Sequence, residues 1–527
     1  MLFNSYEYIL AFLPVTVIVY LLLGRASRGL ALAWVIVASV VFYAWWRPQN
    51  LAIIGPSIAV NYALALWLRA LAGDAARLAT KRAVLTIGLV FNLVVLGYFK
   101  YANFAVGIFD DLTGSDFVFA QVILPLGISF ITFQKIAFLI DVAGGRVKDF
   151  TLRDFLLFVM FFPQLIAGPI IHYPETIPQF QKDTGGFRAG LFATAVTLFV
   201  FGLFKKVVLA DGMAAHVTPV YAYAAAGQDP TMIQSWLAAV GFTLQIYFDF
   251  SGYSDMACGA ALLFGIRLPL NFDSPLRATS IVDFWLRWHV TLTRFLTAYV
   301  YNPIALSLTR RRAMARRPML KGRGSPGGAF LHVLVFPTLT TMFLSGLWHG
   351  AGYTYLVWGL LHGAYLAVNH GWRQYGPRSA RPTWIGALLG WGLTFSAVCI
   401  AMVIFRAPSM GAAGGLFEGM AGLHGLGLPF GDMQLLGDPR VTIWEFLPGA
   451  AYLVGLFAIA VLMPNSLQML AAHDPVLYPP ARAPRIAGIG PEIRWNPTLP
   501  WMLFVMALAT IAMFRLTGQS EFLYWQF

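Results

Sequence analysis

Apolar stretches about 20 residues long recur from one end of this 527-residue chain to the other. That recurrence constrains the fold more than any other feature. A hydrocarbon layer roughly 30 Å thick is crossed by about 20 residues of helix, and inside it each backbone N–H and C=O must find its partner within the protein. Candidate spans fall at roughly 7–24, 30–46, 51–68, 83–108, 118–140, 154–171, 188–204, 232–250, 330–348, 352–370, 384–405, 446–463 and 499–516. The expectation is an all-α polytopic membrane protein whose single membrane-embedded domain fills 1–527, with C-terminal helices at about 384–516. Composition agrees: 58% of residues are hydrophobic and 11% charged, where soluble domains carry about 25% charged residues.

The net charge of +13 is a matter of topology. Arg310, Arg311, Arg312, Arg316, Arg317, Lys321 and Arg323 crowd one short stretch containing Gly and Pro. In a polytopic protein such a stretch marks the cytoplasmic face. It also attracts anionic lipid or an anionic donor, and nucleic acid is not the expected partner. Arg69, Arg77, Lys81 and Arg82 mark a second inside loop, and Arg373, Arg378 and Arg381 a third. Asp110, Asp111 and Asp116 lie outside, as does the nearly neutral, Gly-rich loop 406–445. Tyr8 to Leu23 is no cleaved signal peptide, since Glu7 replaces a basic n-region and no small-residue cleavage site follows. Arg25 and Arg28 directly after it put the N-terminus outside. Cys258 and Cys399 lie in apolar runs and read as free buried thiols.

The region 255–305 is apolar but broken by Pro269, Pro275 and Pro303 and studded with charges, so re-entrant or tilted helices are expected. Ionisable groups inside apolar spans mark functional candidates. On a helical wheel of Asp283 to Arg294, Asp283, Arg287, Thr291 and Arg294 share one face, while Trp285, Trp288, Leu292 and Phe295 take the other. His289 falls at the border. This reads either as an interfacial helix with Trp and Arg anchors or as an ionic face aimed inward. The second candidate is Phe343-Leu-Ser-Gly-Leu-Trp-His349, where Thr338, Thr341, Ser345 and His349 fall on one helix face. It reads either as a packing face of small residues or as hydroxyls leading to an imidazole, the usual general base near neutral pH. His362 and His370 read as packing or interfacial residues. No motif spacing supports a metal or nucleotide-phosphate site.

These residues carry a resemblance. Phe42-Tyr-Ala-Trp-Trp46, Gly97-Tyr-Phe-Lys-Tyr-Ala-Asn103, Pro125-Leu-Gly-Ile-Ser-Phe130, Phe162-Pro-Gln-Leu-Ile-Ala-Gly-Pro169, Tyr247 to Met256, Asp283-Phe-Trp-Leu-Arg-Trp-His289 and Ser345-Gly-Leu-Trp-His-Gly350 occur in order. The chain resembles the membrane-bound O-acyltransferase family, in its bacterial alginate O-acetyltransferase branch, with a motif core at about 97–370. The resemblance implies a ring of roughly 11–13 transmembrane helices around a central tunnel, with a cytoplasmic funnel for an acyl-thioester donor such as acetyl-CoA. It further implies a polysaccharide acceptor outside, and a periplasmic acetyltransferase partner of the SGNH type. The family's two characteristic histidines fall on His289 and His349, and His349 matches the one regarded as catalytic.

Acylating a sugar hydroxyl requires removing a proton from a weakly acidic alcohol as it attacks a thioester. A positioned base contributes about 10²–10⁴-fold to such a step. His349 is the expected base. His289, with Asp283, Trp285, Arg287, Trp288, Ser345, Trp348, Tyr253 and Asp255, is expected to orient the substrates or steady the oxyanion, and Arg310, Arg311 and Arg312 to attract the donor. The ion pair Asp283–Arg287 follows from their i,i+4 spacing. Peptidoglycan or cellulose are alternative acceptors within the same chemistry. A transporter or flippase is the rival from another class, although no internal repeat is visible.

Overall fold

The computed structural model describes residues 1–73, 75–115, 117, 121–182, 187–377, 383–427, 443–478, 480, 491–516 and 523. Among these every regular element is a helix. Six are long and apolar enough to cross a membrane: Glu7–Ala26, Pro48–Ala70, Leu78–Thr113, Ala189–Ala225, Gly327–His349 and Trp384–Arg406. Arg28–Ala44, Pro448–Leu462 and Leu499–Arg515 are shorter apolar helices, and Met232–Leu262 and Tyr353–Tyr375 are two more long ones. Leucine, valine and isoleucine side chains stand exposed along the outer faces, such as Leu10, Ile18, Val94 and Leu393. An aqueous protein would bury that surface; a lipid-facing one need not.

Four spans depart from the sequence reading, the one expected at 232–250 running on unbroken to Leu262. In the span expected at 118–140, residues 121–127 are not helical, and Ile128–Ala143 begins only after the Pro125-Leu-Gly127 turn. The span expected at 154–171 is broken into Leu152–Met160 and Phe162–Leu165, with Tyr173–Gln181 following. Phe161 leaves helical geometry and Pro163 opens the second piece. Gly168 then turns so tightly that a Cβ there would stand 2.5 Å from the Gln164 Cα. In the remaining case the helix from Ala189 does not stop at 204, because a π-turn at Lys205–Ala210 carries it on to Ala225. Asp116, Arg378, Arg381 and residues 428–442 of the expected outside loop lie outside the described residues, and the described part of that loop holds the helix Met410–Met420.

The buried apolar side chains form two cores. One joins the N-terminal helices to Leu198–Leu203, Tyr253–Leu268, Leu292, Phe295 and Trp348. The other joins Leu209–Phe250, Phe272–Trp288, Met342, Trp358 and the helices at 398–420. The helix Met232–Leu262 runs through both. Two intramembrane ion pairs fasten it to its neighbour, Lys205 Nζ 2.6 Å from Asp255 and Lys206 Nζ 2.7 Å from Asp249, and Lys206 also meets Asp211 of its own helix at 2.6 Å. A π-turn carries one extra residue, so consecutive lysines there reach different carboxylates on one facing helix. Cys258 and Cys399 are buried free thiols.

Candidate active site

The region 255–305 breaks as its prolines foretell, but only after the helix Met232–Leu262 has ended. Residues 271–273 then run beside 287–290, with hydrogen bonds from Asp273 N to Arg287 O (3.0 Å) and from Val290 N to Asn271 O (2.9 Å). That pairing stops the short helix Ile281–Trp285 and starts the next, Val290–Leu296. Between them His289 adopts a left-handed backbone, φ 43°. A non-glycine residue held there costs roughly 1–3 kcal/mol, and such residues cluster at functional sites. A single helical wheel over 283–294 therefore does not describe this segment, and its ionic face separates. Arg287 does pair with Asp283, Nε to Oδ1 at 2.8 Å, and also donates to the Asp273 carbonyl. Arg294 pairs instead with Glu175.

His289 is buried and its tautomer is set by its neighbours. Asn271 Oδ1 accepts from the Thr291 N–H (3.3 Å) and hydroxyl (2.8 Å), while Asn271 Nδ2 donates to Ser254 Oγ at 3.1 Å. The amide oxygen therefore faces His289 Nδ1 at 3.0 Å. An oxygen can only accept, so the ring proton sits on Nδ1 and Nε2 keeps its lone pair. Phe250 stands edge-on to the ring at 4.8 Å.

His349 ends the helix that begins at Gly327, with Thr338, Thr341, Ser345 and His349 all turned inward as their spacing predicts. Thr338 and Thr341 donate back to the Leu334 and Pro337 carbonyls, each at 2.7 Å. The Ser345 hydroxyl, one turn below His349, is buried with no hydrogen-bond partner among the described residues. Gly346 lets this helix cross Tyr353–Tyr375 at backbone contact, since a Cβ there would stand 2.3 Å from the Tyr355 carbonyl oxygen. That crossing presses Trp358 onto the His349 ring at 5.0 Å, with Phe405 at 5.4 Å.

Trp348 joins the two halves. Its ring lies 6.2 Å from His289 and 4.9 Å from His349, and it stacks on Phe133, itself stacked on Phe295 at 4.3 Å. Both imidazoles thus sit at the seam between the two apolar cores. Trp285 reaches this seam through Trp358 (6.0 Å), and Trp288 through Phe272 (5.1 Å), which itself stacks 6.4 Å from His289. Asp283 and Arg287 stand at its partly exposed edge.

Three expectations need correction. Asp255 does not face the histidines; it is held by Lys205 and by the Ser466 hydroxyl. Tyr253 points the other way, stacked on Phe3 at 4.8 Å. Arg310, Arg311 and Arg312 lie on the helix Asn302–Met314 and not in a loop. Arg312 is buried, its guanidinium donating to the Pro318 and Gly328 carbonyls, which removes it from any donor-attracting role; Arg310 and Arg311 are exposed. The sequence reading passed over Asn271 and Trp358. His362, read as packing, is indeed enclosed by Trp285 and Trp358 at 5.2 and 4.8 Å.

Comparison with known proteins adds an independent line. Residues 140–316 match the membrane-bound O-acyltransferase family, a stretch that takes in His289 and ends before His349. Over 81% of its length, and 81% of the relative's, the chain is 38% identical to a peptidoglycan O-acetyltransferase of Helicobacter pylori. It is 36% identical, across the whole of both chains, to a probable alginate O-acetylase of Pseudomonas aeruginosa. A teichoic acid D-alanyltransferase of Streptococcus thermophilus is 28% identical over 53% of this chain and 68% of its own. The chain belongs to the membrane-bound O-acyltransferase family and is a multi-pass membrane enzyme that transfers acyl groups.

Proposed function

We propose that this enzyme is an O-acetyltransferase of the bacterial inner membrane. It takes an acetyl group from cytoplasmic acetyl-CoA and delivers it to a hydroxyl of an extracytoplasmic polysaccharide, directly or through a periplasmic SGNH-type partner. The observation that carries this reading is the pair of buried imidazoles, brought from segments 60 residues apart onto the two sides of Trp348. In this reading His349 removes the acceptor's proton as the hydroxyl attacks the thioester carbonyl, and the departing thiolate takes that proton back. His289, neutral and pinned by Asn271, holds the acceptor by accepting a hydrogen bond from one of its hydroxyls through Nε2. Water is kept out by Trp285, Trp288, Trp348 and Trp358. Ser345, with its unused hydroxyl beneath His349, offers one further donor to a bound substrate.

The charge pattern supports a cytoplasmic donor. His349 lies 22 residues along its helix from Gly327, and Lys100, which bonds the His349 carbonyl, lies 22 residues along from Leu78. At 1.5 Å per residue both are about 33 Å from basic stretches. The matching distances support one side, the cytoplasmic one, for both stretches. The likeness to the alginate and peptidoglycan enzymes favours an alginate-like exopolysaccharide or peptidoglycan as acceptor over cellulose. Loss of alkali-labile acetyl from one isolated envelope glycan on deletion of the gene, restored by wild type and not by His349→Ala, is the expected result. Unchanged acetylation of every envelope glycan in the deletion strain would overturn the reading.

A further inference from the structure

Lys100 sits well inside the apolar helix Leu78–Thr113, within the Gly97–Asn103 block that the proposed chemistry leaves unused. It is half-buried, and among the described residues no carboxylate lies within ion-pair distance of it. Its ammonium is instead turned to the end of the His349 helix. Lys100 Nζ donates to the Trp348 carbonyl and lies 3.4 Å from that of His349, while the neighbouring Tyr101 hydroxyl donates to the Leu347 carbonyl at 2.7 Å. Three consecutive carbonyls, those of the last turn before the chain breaks at Gly350, are therefore held by two consecutive side chains of another helix. The last carbonyls of a helix have no partner within it and carry its negative end, so a cation there is favourably placed. The same ammonium stands 5.8 Å from the Trp348 ring centroid, between that indole and the backbone that carries both Trp348 and His349.

We propose that Lys100 is a positioning residue for acyl transfer. With Tyr101 it clamps the final turn of the His349 helix, fixing where the imidazole and the Trp348 indole point. The clamp joins the helix Leu78–Thr113 to the seam between the two cores, which that helix does not otherwise enter with a charge. The proposal rests on the reading of His349 as base, and it adds a requirement that reading does not contain: the imidazole works only while side chains of a different helix hold its backbone.

The test uses purified full-length protein and measures the free thiol released from acetyl-CoA. Lys100→Met is expected to lose about 100-fold in kcat, the scale of removing one preorganised donor, with the KM for acetyl-CoA within about threefold of wild type and the protein still monodisperse. Lys100→Arg, which keeps charge and donors, is expected to recover at least about a tenth of wild-type kcat. Tyr101→Phe is expected to lose about fivefold, as one neutral donor is removed. A role confined to holding the fold would lower thermal stability and leave kcat of the folded protein intact. Wild-type kcat in folded Lys100→Met, or a raised KM with kcat kept, overturns the proposal; where Lys100→Met does not fold, wild-type kcat in Tyr101→Phe does so. His349→Ala, assayed alongside, separates the two ideas. If it turns over at the wild-type rate the base assignment falls; if it is inactive while Lys100→Met is unimpaired, only the clamp falls.

Discussion

Asn271 Oδ1 accepts from His289 Nδ1 and from both the N–H and the hydroxyl of Thr291, so three donors converge on one amide oxygen. The same Thr291 hydroxyl accepts from Ile170 N, which ties the site to the break after Phe162–Leu165. Removing the amide frees the imidazole to rotate and to move its proton to Nε2. Asn271→Ala is therefore expected to lose about 10–100-fold in kcat, the scale set by removing the outer hydrogen-bond partner of a metal-bound histidine. His289→Gln is expected to retain measurable turnover, because a side-chain amide still bonds substrate. His349→Gln is expected to be as inactive as His349→Ala, because an amide cannot take the proton. Steady-state kinetics on monodisperse protein check all of these, and higher turnover in His349→Gln than in His289→Gln would exchange the two assignments.

Elements differ in how far the sequence foretells them. Spans such as 7–24, 30–46, 51–68, 330–348 and 384–405 were legible to within a few residues, because a hydrocarbon layer and a 1.5 Å rise leave little freedom in length. The Asp283–Arg287 pair was legible too, since i,i+4 neighbours meet on any helix turn. The left-handed His289 was not. Its helix stops because residues 271–273 pair with 287–290, and no periodicity within 283–294 contains that partner. The burial of Arg312 and the commitment of Asp255 to Lys205 likewise depend on side chains far away in sequence. These give two expectations. Lys206→Met removes the ammonium that bridges Asp249 and Asp211, and breaking a buried pair costs about 3–5 kcal/mol; thermal unfolding in detergent should show a large fall in Tm, and an unchanged Tm would mean the ion pairs hold nothing. Arg310→Gln with Arg311→Gln should raise the acetyl-CoA KM, more at low salt than at 0.15 M, because exposed charges are screened over about 8 Å there. Arg312→Gln should instead lower Tm and leave KM unchanged, as its guanidinium spans Pro318 and Gly328.

At the scale of the whole molecule, the seam between two cores places the histidines roughly a membrane thickness from the basic stretches of the chain. On the proposed reading the reactive end of a donor entering from the basic side reaches through the protein to the imidazole pair, and the acceptor meets it there from the opposite side. Impermeant thiol labelling should mark a single cysteine introduced near Gly422 in intact cells and leave one at Arg316 unmarked, and the reverse pattern would invert the map. The central claim joins sidedness to chemistry, and one measurement reads both. Right-side-out vesicles from expressing cells are loaded with acetyl-labelled acetyl-CoA, and alkali-labile acetyl esters reachable from outside are counted. Wild-type vesicles are expected to accumulate outward-facing label while the donor stays sealed inside, and His349→Ala vesicles with equal protein to accumulate none. Equal outward label from both would contradict the account.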